Sequence, residues 1–135
     1  MGIEILVPSA AGFDYGAITP QDVVILPAFG VSVGDMSRLA LQGCTLVDTT
    51  CGSVLNVWKN VRRYAEGGYT SIIHGKVWHE ETQATASQAR RNGSGHYLVV
   101  LDKTEAGRAC ARWASRSSSH RPPDSTTARS RRRTW

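Results

Sequence analysis

Cysteine is scarce in this sequence, and none of it is arranged in pairs. Cys44, Cys51 and Cys110 lie far apart with no CxxC spacing, and no signal-peptide pattern opens the chain. This argues against a secreted disulfide framework and for a reducing, cytoplasmic setting. Long apolar runs are also missing. None approaches the roughly 18 residues that a membrane-spanning helix needs, so no membrane partner is expected. Nor does the foldable part carry a basic groove. The formal net charge is +5, yet residues 1–115 hold ten Lys or Arg against ten Asp or Glu, while residues 116–135 hold six Arg and one Asp. The excess belongs to the tail, so nucleic acid is not an expected partner of the folded part. With 135 residues, the chain can bury one substantial core but not two.

What is present alternates regularly. Asp22-Val-Val-Ile-Leu-Pro27 is a short apolar run rich in β-branched residues, as a buried parallel strand is. Residues 32–42 place Val33, Met36, Leu39 and Ala40 at helical spacing, and residues 45–48 read as the next strand. Residues 53–65 put Val54, Val57, Trp58, Val61, Tyr64 and Ala65 on one helical face, and Gly67 and Gly68 end that helix. Residues 69–74 predict a third strand, 81–91 a polar helix, 96–101 a fourth strand and 103–113 a closing helix. Strands and helices joined by short loops imply βαβ crossovers. The expected fold is therefore α/β, with a small, mostly parallel sheet and flanking helices over residues 1–114. The first residues fit less well; Ile3-Glu-Ile-Leu-Val7 is a candidate edge strand. From residue 115 to 135 the chain is Arg/Ser-rich with almost no aliphatic residues, and it is expected to be disordered. The abrupt change suits an out-of-frame or truncated reading frame better than a nucleic-acid-binding arm.

In an open parallel sheet, ligands bind outside the carboxyl ends of the strands. Three loops leave such ends, at residues 27–30, 49–52 and 75–81, and Cys51, His79 and Glu81 lie on them. At a helix start the partial positive charge favours a thiolate, the form that binds metal or attacks electrophiles. The alternative for Cys51 is a small buried residue that happens to stand there. His79 and Glu81 could bind an anion and relay a proton, or simply suit the positive end of a helix dipole. The residues alone leave that choice open. The second histidine of a zinc-protease helix is absent. Thr49, Thr50 and Thr85 offer hydroxyls of the kind that cradle phosphate, and His74 could equally be a satisfied core histidine. Cys44 and Cys110 read as structural.

Taken together, residues 22–30, Val47-Asp-Thr-Thr-Cys51, Val57-Trp58, Tyr69-Thr-Ser-Ile-Ile-His-Gly-Lys76, His79-Glu-Glu-Thr82 and Ala84-Thr-Ala-Ser87 closely resemble the 4-hydroxy-3-methylbut-2-enyl diphosphate reductases of LytB type, in their plastid and cyanobacterial form. The resemblance covers about residues 1–113; the tail has no counterpart. It implies the last step of the methylerythritol phosphate route to isoprenoids, in which a diphosphate substrate loses a hydroxyl as water to give isopentenyl and dimethylallyl diphosphates. It also implies a 4Fe-4S cluster held by three cysteines, one from each of three α/β lobes, with an iron position left for the substrate's oxygen. Ferredoxin or flavodoxin is the implied electron donor, and the plastid stroma the implied location in a plant or alga.

By this resemblance Cys51 is the middle lobe's metal ligand, His79 binds the diphosphate substrate, and Glu81 is the catalytic acid that delivers protons; Thr85, for its hydroxyl, is the further substrate-binding candidate. Phe29 stands where many bacterial members carry histidine, as it does in the plastid form. Gly52 departs from the proline that usually follows the cysteine, which implies a looser ligand loop. The other cluster cysteines belong to segments outside this chain, so the chain by itself is expected to be inactive. Two rival readings are a non-catalytic α/β interaction module and a thiol enzyme using Cys51 as nucleophile and His79 as base. Nothing in the sequence indicates an oligomeric state.

Overall fold

The computed structural model describes residues 2–9, 12–93 and 95–117. Four strands and four helices alternate among them: β1 (Val23–Leu26), α1 (Val33–Leu41), β2 (Thr45–Asp48), α2 (Gly52–Glu66), β3 (Thr70–His74), α3 (Glu80–Ala89), β4 (His96–Val100) and α4 (Lys103–Ser117). The disorder expected from residue 115 lies, from residue 118 onward, outside the described residues. Residues 115–117 form the last turn of α4. No described helix is long and apolar enough to cross a membrane.

The α/β class is as expected, but the single sheet is divided into two. β1 pairs in parallel with β2, from Val23 opposite Thr45 to Leu26 opposite Asp48, and β3 pairs in parallel with β4, from Thr70 opposite His96 to His74 opposite Val100. The result is two βαβ units in tandem. α2 spans 15 residues, about 22 Å at the usual helical rise, and carries the chain from one unit to the other. The units meet through helices instead of strand edges, since α3 packs against α1, α2 and both of its own strands. The candidate edge strand at residues 3–7 does not form. Ile3, Ile5 and Val7 stay exposed, and that part of the chain makes one antiparallel bridge, Ser9 to Gly12.

Each unit has its own core. In the first, Leu26 and Leu39 close on Tyr15, with Val24, Met36 and Leu46 packed around them. Burial, reinforced by the neighbouring Asp35 carboxylate, pushes the Tyr15 phenol well above its ordinary pKa. In the second, Val61 and Ala65 of α2 meet Ala89 of α3 and Tyr97 of β4. Gly95 allows this approach, because a Cβ there would stand 1.9 Å from the Ala89 carbonyl oxygen and 2.7 Å from Ala65 Cβ.

The helix expected to be polar, α3, has Thr82, Ala84, Thr85, Ala86, Gln88 and Ala89 all buried. Small side chains let it sit close to its neighbours. The outer faces of the sheets are bare by contrast. Val23 and Ile25 are each 62% exposed, and Val47, Ile72 and Leu98 are also exposed. Parallel strands are ordinarily covered on both faces, so these are surfaces that another layer would bury.

Candidate functional site

The three strand-end loops converge as the sequence implied. The loop after β1 turns at Gly30, whose N–H donates to the Pro27 carbonyl at 2.8 Å. The loop after β2 is tied to it twice: the Cys51 N–H donates to the Ala28 carbonyl at 2.8 Å, and the Thr49 hydroxyl donates to the Leu26 carbonyl. The loop after β3 closes the group, because the Phe29 and His79 rings meet edge-on with centroids 6.5 Å apart.

Cys51 is the N-cap of α2. It is exposed, and its side chain makes no capping hydrogen bond. The alternative of a buried structural cysteine therefore does not hold for this residue. Cys44 is half-buried, with its thiol 3.6 Å from the Leu39 carbonyl, and Cys110 is exposed on α4. Among the described residues no three His, Cys, Asp or Glu side chains come together in a way that could hold a metal ion.

His79 is the N-cap of α3, and its Nδ1 accepts the Glu81 backbone N–H at 3.3 Å. With Nδ1 used as acceptor, the neutral ring carries its proton on Nε2 and presents a donor there. That tautomer suits an anion. It also leaves the neutral imidazole no free lone pair to deprotonate Cys51, which weighs against the thiol-enzyme reading. Glu80 and Glu81 occupy the first turn of α3, and both are exposed.

Thr85 differs from these two. It is buried, 8% exposed, and its hydroxyl accepts the Trp58 indole N–H at 3.2 Å. His74 is satisfied but not in the core: it is exposed at the end of β3, with Nε2 2.9 Å from the Leu101 carbonyl. Thr50 lies on the same loop as Cys51, with its N–H and hydroxyl both directed to Asp48.

Sequence reasoning placed Trp58 on a core face and did not connect it to the site. The signal was available, since a buried indole N–H needs a partner and Thr85 and Ser87 were the nearby hydroxyls of the matched motif. Ser87 was also passed over. Its hydroxyl oxygen accepts the Val33 N–H at 3.0 Å, which ties the start of α1 to α3. A separate cleft of about 380 Å³, lined by residues including Val33, Val77, Ala86, Arg90 and Tyr97, contains none of Cys51, His79 and Glu81.

Comparison with known proteins identifies the family. The family model described as LytB protein matches residues 1–122. Relatives named 4-hydroxy-3-methylbut-2-enyl diphosphate reductase include one from a Cyanothece species, 50% identical over 97 residues, covering 72% of this chain and 23% of that protein. Another, from Thermosynechococcus vestitus, is 47% identical over 110 residues, covering 82% of this chain and 26% of that protein. The chain thus spans about a quarter of the length of the curated relatives it matches.

Among solved structures, that of (E)-4-hydroxy-3-methyl-but-2-enyl diphosphate reductase, the terminal enzyme of the non-mevalonate pathway, superposes with a TM-score of 0.63 at 24% identity, covering 74% of this chain and 35% of that one. That of the E-1-hydroxy-2-methyl-but-2-enyl-4-diphosphate reductase from Plasmodium falciparum gives a TM-score of 0.56 at 16% identity, covering 78% of this chain and 39% of that one. These structures share the fold, and the extent of the family match settles the assignment: the chain belongs to the LytB family.

Proposed function

We propose that this chain contributes the Cys51 thiol and the His79–Glu81 helix start to a 4-hydroxy-3-methylbut-2-enyl diphosphate reductase, the activity named for its relatives. The reaction breaks the substrate's carbon–oxygen bond and forms a carbon–hydrogen bond, taking two electrons from the donor and two protons, one into the new C–H bond and one into the departing water. The hydroxyl leaves as water, and isopentenyl or dimethylallyl diphosphate remains. The convergence of the Cys51 loop, the Phe29 loop and the His79 helix start at the carboxyl ends of three strands supports this reading best.

The geometry supports the roles that the resemblance implies. The positive end of α3 and the Nε2 donor of His79 form a place for the negatively charged diphosphate. Glu81, two residues on and exposed, is positioned to hold and deliver a proton to the departing hydroxyl. Thr85, expected to bind substrate, is instead given a supporting role, because it is buried and its hydroxyl already accepts the Trp58 indole N–H.

The residues described do not by themselves fit a 4Fe-4S cluster, because no three His, Cys, Asp or Glu side chains among them gather as metal ligands and Cys51 alone supplies one thiolate. We assign Cys51 as one ligand of a cluster completed by cysteines beyond this chain, with ferredoxin or flavodoxin as electron donor. The chain alone is inactive on this reading.

The test is a titration of isotopically labelled chain with inorganic diphosphate. Amide shifts confined to residues 28–30, 49–52 and 75–81, and lost on His79→Ala, are expected. Shifts elsewhere, or none, would overturn the reading. The bare sheet faces favour a second role beside the first, as a module docking on chains that carry the remaining lobes. Co-purification with such a chain would support it, and a monodisperse monomer would count against it.

A further inference from the structure

We infer that Trp58 is a positioning residue that couples the cysteine loop to the His79 helix, with Thr85 as its partner. Trp58 sits two turns into α2, the helix that Cys51 caps, and is 5% exposed. It touches the other two parts of the site from there. Its Nε1–H donates to the Thr85 hydroxyl on α3, the helix that His79 caps. Its six-membered ring lies under the loop after β1, so close that a Cβ on Gly30 would stand 2.2 Å from Cη2 and 2.6 Å from Cζ2. That loop carries Phe29, whose ring meets His79. One side chain thus adds a directional bond near the N-terminal ends of α2 and α3, beyond the Val61–Ala65–Ala89 contact further along, and props the Phe29 loop by contact. A helix is stiff over two turns, so the position of Cys51 relative to His79 is set through Trp58.

Thr85 acts through this bond and not by touching substrate. A buried indole N–H left without an acceptor is costly, so the pairing is specific and removal of the hydroxyl is felt at once. The inference rests on reading His79 as a substrate-facing group, but its test needs no diphosphate and can fail or succeed independently of that reading.

The measurement is the chemical shift of the His79 ring protons, which records the ring current of Phe29, on the full chain. Phe29→Leu supplies the value without that ring. Thr85→Val, which keeps the shape and removes the hydroxyl, and Trp58→Phe, which keeps a ring and removes the N–H, are each expected to move the signals most of the way to the Phe29→Leu value. Thr85→Ser is expected to restore the wild-type position. This pattern differs from a general loss of stability, because all spectra are taken on folded protein. If Trp58→Phe does not fold, Thr85→Val decides. His79 signals that stay at the wild-type position in Thr85→Val overturn the inference.

Discussion

Gly30 rests on the indole of Trp58, with φ at +75° and no room for a side chain between them. Two independent penalties therefore meet at this position. A left-handed backbone disfavours any residue with a Cβ, and the packed ring refuses the added atom. Gly30→Ala is expected to cost about 2 kcal/mol or more, read as a lower urea midpoint at unchanged slope. A loss under about 0.5 kcal/mol would show that the indole yields freely.

Gly52 presents the opposite case. It is the first residue of α2, its φ is not positive, and a Cβ there meets nothing within 4 Å. Cys51 before it is already extended, with φ at −69° and ψ at 151°, as a residue preceding proline must be. Gly52→Pro should therefore stabilise the chain by about 0.4–1 kcal/mol, chiefly by restricting the unfolded state. A drop in thermal midpoint would mean that the helix start needs the glycine.

The capping and anion-binding roles of His79 can be separated. Asn replaces the Nδ1 acceptor with a side-chain oxygen but offers no equivalent of the Nε2 donor. His79→Asn should hold stability within about 0.5 kcal/mol of wild type while weakening diphosphate binding. His79→Ala should lose about 0.5–2 kcal/mol of stability and the binding together. Denaturation curves beside diphosphate titrations decide this. Full binding in the Asn variant would reduce His79 to a cap.

Tyr15 gives the fold an alkaline limit. Its pKa is raised by burial first and by Asp35 second, so the folded state favours the neutral phenol. The sign follows: stability from this group is fully present below the ordinary tyrosine value of 10.0 and falls as pH rises above it. Phenolate absorbance from Tyr15 should therefore appear together with loss of the far-ultraviolet dichroism. Tyr15→Phe should remove that coupled step, and a phenolate that forms without unfolding would contradict it.

Iron chemistry tests the ligand assignment. Anaerobic reconstitution of the chain alone should yield iron and acid-labile sulfide no higher than a Cys51→Ala control. Addition of segments carrying the other cysteines should raise wild type above that control. Near-stoichiometric four-iron content in the isolated chain, absent from Cys51→Ala, would show that copies of it assemble a shared site.

Much of this arrangement was legible because each element announced its own period. The apolar run at β1 and the helical spacing of Val54, Trp58 and Val61 gave elements within a residue or two of those observed. Strand-end logic then placed Cys51 and His79 in one neighbourhood. Two features escaped for physical reasons. The burial of α3 rests on Ala and Thr side chains whose smallness, not hydrophobicity, permits close approach, so a polarity count reads the helix as a solvent face. The division into two sheets depends on which edges meet, and hydrophobic pattern carries no record of that. Val57 and Tyr64, on the predicted apolar face of α2, remain exposed, while Trp58, Val61 and Ala65 of that face are buried.

The central place of α3 sets how the molecule breathes. A helix held by α1, α2 and two strands at once is slow to release the amides beyond its exposed first turn. Those buried backbone protons exchange only through larger openings, whereas those of β1, with one face bare, escape through smaller ones. Deuterium should therefore enter the chain from the sheet surfaces inward. The helix that carries His79 would then keep its protons longest, a slow clock at the centre of a site whose rim is quick.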